Sequence, residues 1–187
     1  MGCQLSRPTQ DTIRCTGKLR PGTYSIPGNI SSQFISGLLF ALPLTKEDSY
    51  IKITTPLESK GYIDLTLQVL HTFGVKAQWL DSQTLYIPGR QYYHPCDAVV
   101  EGDYSAAAFY AAMNSLGSDI KIEGLLPSSL QGDKIYAHHF QSLSWGCPQI
   151  DISHCPDLGP ILFAVAAVVF LIAASPGYLD IYYKEVS

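Results

Sequence analysis

Pro27-Gly28-Asn29-Ile30-Ser31-Ser32-Gln33-Phe34 decides how the rest of the chain reads. Pro27, Gly28 and Asn29 are turn residues. Ile35, Leu38, Leu39 and Leu42 follow at helical spacing, so a helix is expected from Ser31 to about Leu42, ending before Pro43. Ser31, Ser32 and Gln33 then sit at its start. Backbone N–H groups there lack internal partners, and the helix dipole leaves a partial positive charge. Two hydroxyls and an amide added at that place make a compact donor cluster suited to a phosphate. Plain N-capping accounts for the serines as well, so the choice between the two rests on the remainder of the chain.

Before this stretch, residues 1–26 are polar and turn-rich, with a short strand expected at Thr23–Ile26. After it, Ser49–Thr54 alternates and reads as a strand closed by Pro56. Ser59-Lys60-Gly61-Tyr62 leads into Ile63, Leu67, Leu70 and Phe73 at helical spacing, with Gly74 as the stop. Val75–Trp79 and Thr84–Ile87 look like a hairpin around Asp81-Ser82. Ala98–Val100, Asp119–Ile122 and Ile150–Ile152 are expected as further short strands. Helices are expected from Gly102-Asp103-Tyr104-Ser105 to about Ser115, from near Gln131-Gly132-Asp133 to about Leu143, and from Pro156-Asp157 onward. This pattern repeats: first-helix entries at Ser31 and Asp103 are 72 positions apart, and second-helix entries at Tyr62 and Asp133 are 71 apart. Alternation of this kind means α/β units whose sheet faces are covered by helices. A small polar group at every helix entry leaves open that several helix N-termini converge on one anionic ligand.

Composition narrows the function classes. The chain has 187 residues, enough for one domain or two small ones, with 47% apolar and 15% charged residues. A net charge of −4 with no basic run argues against a nucleic-acid partner. Cys3, Cys15, Cys96, Cys147 and Cys155 are odd in number and scattered, with no C-x-x-C pair. A disulfide framework or a zinc site is therefore not expected, and a reducing cytoplasm is the default. Met1–Gln10 lacks the apolar core of a signal peptide. Ile161 to Ala174 is an unbroken apolar run of fourteen residues without Lys or Arg close by. A spanning helix needs about twenty, so the run is expected as a buried core helix rather than a membrane anchor. The five histidines, His138-His139 among them, show no metal-ligand spacing.

Five motifs occur in order: Gly28-Asn29-Ile30-Ser31-Ser32-Gln33-Phe34; Leu57-Glu58-Ser59-Lys60-Gly61-Tyr62-Ile63-Asp64; Val100-Glu101-Gly102-Asp103-Tyr104-Ser105-Ala106-Ala107-Ala108-Phe109; Gln131-Gly132-Asp133; and Pro156-Asp157. In this order and spacing the chain closely resembles the 5-enolpyruvylshikimate-3-phosphate synthases, also called 3-phosphoshikimate 1-carboxyvinyltransferases, from about Gly17 to Ala167. The resemblance implies an α/β fold, an inside-out α/β prism of repeated βαβαββ units in two domains, incomplete in this chain. Residues 1–101 would be part of the first, shikimate-phosphate-binding domain. Residues 102–187 would be part of the second, with an atypical tail at 171–187.

It further implies transfer of the enolpyruvyl group of phosphoenolpyruvate to the 5-hydroxyl of shikimate 3-phosphate, with no metal or organic cofactor. Ser31, Ser32 and Ser59 match the family's binders of the shikimate phosphate. Gln33 matches the residue bridging the two substrates, and Tyr62 a contact to a ring hydroxyl. Asp157 matches the carboxylate that holds the shikimate hydroxyls and moves a proton. Read without the family, Asp157 is a first-turn aspartate favoured by the helix dipole, Tyr62 an amphipathic core tyrosine, and Lys60 a solvated side chain.

The chain departs from the family in several places. Its length is less than half the usual one. The family's N-terminal lysine, its Ser-x-x-x-Arg loop and the arginine of the phosphoenolpyruvate site are expected ahead of residue 1. The basic motif expected after Val169 does not occur, and Gly61 replaces the usual proline. Phosphoenolpyruvate carries about three negative charges and needs cationic clamps. The sequence thus reads as the shikimate-phosphate half of a site, in an incomplete copy with impaired activity and weak or absent binding of phosphoenolpyruvate. The alternative is a non-catalytic anion-binding or assembly module that self-associates or pairs with a complementary fragment. A third reading, a small membrane-associated protein anchored by Ile161–Ala174, is disfavoured by the length of that run.

Overall fold

A computed structural model describes residues 2–173. Residues 174–187, including the last residue of the expected apolar helix and nearly all of the atypical tail, lie outside the described residues. The chain divides into two compact units, with the boundary between Val99 and Val100.

The first unit opens with a hairpin, β1 (Cys3–Thr9) and β2 (Thr12–Gly17), paired antiparallel with Leu5 opposite Cys15. Sequence reading assigned no structure here, because the stretch is polar and carries Pro8. Alternation nevertheless sorts it, with Cys3, Leu5, Ile13 and Cys15 on one face and Gln4, Ser6, Arg14 and Thr16 on the other.

Next come β3 (Thr23–Ile26), α1 (Ser32–Ala41), β4 (Ser49–Ile53), α2 (Lys60–Thr72), β5 (Gln78–Trp79) and β6 (Thr84–Ile87). This is the βαβαββ order. The strands form one sheet in the order β3-β4-β6-β5, with β3 and β4 parallel and the other pairs antiparallel. Along β4, Ser49, Ile51 and Ile53 are buried while Tyr50 and Lys52 are not, so one sheet face is apolar. Ile35 and Leu39 of α1 and Ile63 and Leu70 of α2 close over that face, all at 0% exposure. At roughly 25 cal/mol per Å² of buried apolar surface, this layer is the main source of the unit's stability. α1 stops at Ala41 and a 3-10 turn, Leu42–Leu44, takes in Pro43. Gly74 at φ 77° ends α2, a conformation glycine adopts without strain.

The second unit holds α3 (Tyr104–Ser115), α4 (Tyr136–Ser144) and α5 (Gly159–Ala173). A 3-10 turn, Gly132–Ile135, precedes α4, and another, Pro156–Leu158, precedes α5. Ala108 and Ala112, Phe140 and Leu143, and Leu158, Leu162 and Val165 form its core.

The strands expected at Ala98–Val100, Asp119–Ile122 and Ile150–Ile152 are not formed. A strand needs a neighbour for its backbone groups, and Val99 and Val100 stand 97% and 93% exposed. At Ile120 a side chain replaces that neighbour. The Asn114 amide donates to the Ile120 carbonyl at 2.8 Å and accepts from its N–H at 2.7 Å. Among the described residues the repeat therefore persists in the helices while its strands are confined to the first unit. The expected burial of the apolar run holds for one face of α5 only, since Phe163 and Phe170 are 79% and 67% exposed. Among the described residues no helix is long and apolar enough to cross a membrane.

Candidate functional site

Because β3 and β4 run parallel with Ile26 beside Ile53, the loops that follow them leave the same edge of the sheet. One carries Gly28 to Ser31 into α1 and the other carries Thr55 to Ser59 into α2. Two helix N-termini are thereby set side by side. Ser36 and Thr66, hydroxyl to hydroxyl at 2.8 Å, join the two helices one turn further in.

The loops are also joined directly. Glu58 N–H donates to the Gly28 carbonyl at 3.1 Å. The Gly28 N–H donates to the Thr55 hydroxyl at 2.9 Å, and that hydroxyl donates to the Asn29 side chain at 2.9 Å. A β-carbon on Gly28 would lie 2.7 Å from an Ile53 methyl and 2.9 Å from the Pro56 carbonyl oxygen, so only glycine lets the loops approach this closely. Thr55 was not singled out from the sequence. A threonine just after a strand gives no signal until its partner loop is known.

The serines at this edge differ in what they do. Ser31 is the N-cap of α1, with extended backbone and its hydroxyl accepting from Gln33 N–H at 3.2 Å. Ser32 is the first helical residue, half-buried, and Gln33 is exposed. Ser59 is the N-cap of α2 by position, yet its side chain makes no capping hydrogen bond and its backbone is left-handed at φ 55°, ψ 37°. It is buried, at 9% exposure. A non-glycine residue in this region costs roughly 1–2 kcal/mol, and such strain clusters at functional sites. Its hydroxyl and the first N–H groups of α2 are left for another acceptor. Tyr62 is half-buried in the first turn of α2 and donates its N–H to the Ser59 carbonyl at 3.1 Å.

Lys60 is more than a solvated side chain. Its ammonium meets Asp64 at 2.6 Å and lies 5.1 Å from the centre of the Trp79 ring, while Trp79 donates its indole N–H to Asp64 at 2.8 Å. A cation at a helix N-terminus opposes the macrodipole. Asp64 and Trp79 hold it there, and the Asp64 carboxylate offsets its charge.

In the second unit the helix starts are different. Asp103 caps α3, its carboxylate accepting from the Ser105 N–H at 2.9 Å and hydroxyl at 3.0 Å. Asp133 is buried in the turn before α4. The Asp103 carboxylate thus occupies the place at the start of α3 that an anion would take. Glu101 accepts from Ser129 at 2.9 Å and from Gln131 at 3.0 Å, and Gln131 accepts the Tyr104 N–H at 2.8 Å. The Glu-Gly-Asp and Gln-Gly-Asp motifs thus hold each other. Asp157 is exposed in the 3-10 turn before α5. Ser31, Ser32, Gln33, Ser59 and Tyr62 share one sheet edge of the first unit, and Asp157 belongs to the second. Among the described residues no three His, Cys, Asp or Glu side chains are grouped to hold a metal ion.

A βαβαββ layer with two serine-bearing helix starts at one strand edge defines an α/β fold. The solved EPSP synthase of Acinetobacter baumannii has a similar fold over 76% of this chain and 32% of its own, with a TM-score of 0.56 at 20% identity. The family described as EPSP synthase (3-phosphoshikimate 1-carboxyvinyltransferase) matches residues 7–178, and the chain belongs to it. Relatives named 3-phosphoshikimate 1-carboxyvinyltransferase include those of Clostridium perfringens, 48% identical over 83% of this chain, and of Clostridium kluyveri, 42% identical over the same share. That of Clostridioides difficile is 42% identical over 82%. The chain spans about 40% of the length of these relatives, 41%, 40% and 39% in turn.

Proposed function

We propose that the chain carries the shikimate 3-phosphate side of a 3-phosphoshikimate 1-carboxyvinyltransferase site. The reaction transfers the enolpyruvyl group of phosphoenolpyruvate to the 5-hydroxyl of shikimate 3-phosphate, giving 5-enolpyruvylshikimate 3-phosphate and inorganic phosphate. In this reading residues 1–101 are part of the phosphate-binding domain, and residues 102–187 part of the second domain. Ser31, Ser32 and Ser59 receive the phosphate, Gln33 lies between the substrates, and Tyr62 meets a ring hydroxyl. Asp157 holds the shikimate hydroxyls and accepts the proton as the 5-oxygen adds to phosphoenolpyruvate. A cytoplasmic setting accords with five cysteines that are all free thiols.

The observation that carries the reading is the pairing of Ser31 and Ser59. Two helix N-termini share one edge, locked together by the Glu58–Gly28 bond, and Ser59 is strained with its hydroxyl diverted from capping. A cap that only stabilised its helix would have no need of left-handed backbone.

Charge explains why turnover by this chain alone is doubtful. Lys60 is the cation at the serine edge, and it is engaged by Asp64. Each electrostatic group missing from a transition state typically costs about a hundredfold in rate. Titrating shikimate 3-phosphate into isotopically labelled chain tests the binding. The amide signals of Ser32, Lys60 and Gly61 are expected to move saturably and together. Signals that stay in place there while others move would refute the assignment.

A further inference from the structure

The second residues of α1, α2 and α3 differ in what becomes of their amide hydrogens. In α1 this residue is Gln33, whose N–H donates to the hydroxyl of the N-cap Ser31 at 3.2 Å. In α3 it is Ser105, whose N–H donates to the carboxylate of the N-cap Asp103 at 2.9 Å. In α2 it is Gly61, and the N-cap there, Ser59, makes no capping hydrogen bond. Among the described residues the half-buried Gly61 N–H has no partner. An N–H at this position finds no acceptor within its own helix. The third residues of α1 and α2 behave alike, since Phe34 and Tyr62 donate their N–H groups to the carbonyls of Ser31 and Ser59 at 3.4 and 3.1 Å. The difference between these two helices is thus confined to the second amide and to the serine that would cap it.

Ser59 is itself an independent observation. Its side chain is nine-tenths buried, at 9% exposure, and among the described residues its hydroxyl makes no hydrogen bond. Buried hydroxyls in native proteins are nearly always matched. One unmatched hydroxyl and one unmatched amide hydrogen therefore sit two residues apart at the start of one helix. The Lys60 ammonium between them is turned to Asp64 at 2.6 Å.

We propose that an oxygen of a phosphate monoester takes the capping position that the Ser59 side chain leaves open. It receives the Gly61 N–H, and the Ser59 hydroxyl donates to a second oxygen of the same group. Gly61 is then a phosphate-binding residue that acts through its backbone alone. A tetrahedral dianion offers separate oxygens to the two donors, and the start of a helix favours negative charge. This assignment rests on the phosphate reading of the same edge and adds to it one donor and the reason for the open cap.

Gly61→Pro removes this N–H and is compatible with the first turn of a helix, whereas Gly61→Ala keeps the N–H. In calorimetric titration with shikimate 3-phosphate, Gly61→Pro is expected to bind about tenfold or more weakly, as for a lost hydrogen bond to a charged group. Gly61→Ala is expected to bind as the parent does. Thermal unfolding is expected to hold or rise in both, because each substitution restricts the unfolded chain. A merely structural role would not separate the two affinities in this way. Hydrogen exchange in the unaltered chain supplies a measurement that does not depend on Gly61→Pro folding. With shikimate 3-phosphate at saturation the Gly61 amide is expected to exchange more slowly, while that of Gln33, already bonded to Ser31, changes less. The assignment alone is overturned if the parent binds and Gly61→Pro binds equally well, if Gly61→Ala and Gly61→Pro lose the same affinity, or if binding leaves exchange at Gly61 unchanged. A parent chain that does not bind shikimate 3-phosphate overturns the phosphate reading and this assignment together.

Discussion

Glu58 donates its backbone N–H to the carbonyl of Gly28 at 3.1 Å, and this bond fastens the loop ahead of α2 to the loop ahead of α1. The two serine-bearing helix starts are thus one structural object, and changes in either loop are felt at both.

Gly28→Ala tests this coupling. The added methyl would meet Ile53, the Pro56 carbonyl oxygen and Leu57 at 2.7, 2.9 and 3.0 Å. Two of these three contacts are backbone and cannot rotate away. Overpacking of this kind costs about 1–3 kcal/mol. Thermal unfolding and shikimate 3-phosphate affinity are both expected to fall. Lost stability with affinity unchanged would show that the loops bind independently.

Ser59→Gly separates strain from function. Glycine adopts φ 55° readily, so the substitution removes a strain of roughly 1–2 kcal/mol while deleting a hydroxyl that caps nothing. The melting temperature is expected to hold or rise, and affinity for the phosphate to drop. A drop in both would mean that the hydroxyl supports the fold.

The neighbouring serines divide the same way. Ser31 caps α1 through Gln33 N–H, so Ser31→Ala should cost about 1 kcal/mol of stability. Ser32→Ala, inside the helix, should leave stability nearly unchanged and weaken phosphate binding by about 1.5–3 kcal/mol, as for a hydrogen bond to a charged group. Chemical denaturation beside titration of the ligand distinguishes the two.

Much of this edge was legible in the sequence. Turn residues followed by a 3.6-residue apolar period located α1 and α2, and alternation located β4 and the hairpin of β5 and β6. Residues whose roles depend on distant partners were not legible. Lys60 reads as solvated until Asp64 and Trp79 are seen around it, and Thr55 means nothing until Gly28 arrives. Ile120 and Ile150 have strand-like neighbours, but strand formation depends on a partner, and at Ile120 the Asn114 amide takes that partner's place. Ser59 is the instructive case. The family resemblance matched it to a phosphate binder, while its left-handed backbone is something no local pattern reports.

Acid should loosen the second unit. His139 is 8% exposed, and burial first, then the neighbouring His138, holds its imidazole below the ordinary value of 6.5. Between the lowered value and 6.5 the unfolded chain binds more protons than the folded one, so stability is complete above about pH 6.5 and declines as the pH falls through that window. Nε2 of His139 lies 3.9 Å from the Cys155 sulfur, whose thiol is pushed up by burial and then by Asp133 and Asp151. The Cys155 thiol therefore stays neutral here and does not offset the charge. Urea unfolding at pH 7.5 and 6.0 is expected to show a larger loss for the parent than for His139→Gln. Equal losses would place the titrating group elsewhere.

The most direct test of the account is calorimetric titration of the purified chain with shikimate 3-phosphate and, separately, with phosphoenolpyruvate. Weak, saturable binding of shikimate 3-phosphate is predicted, reduced by Ser32→Ala and by Ser59→Gly, with phosphoenolpyruvate giving hardly any heat. Tight binding of phosphoenolpyruvate alone, or shikimate 3-phosphate binding that neither substitution weakens, would contradict it.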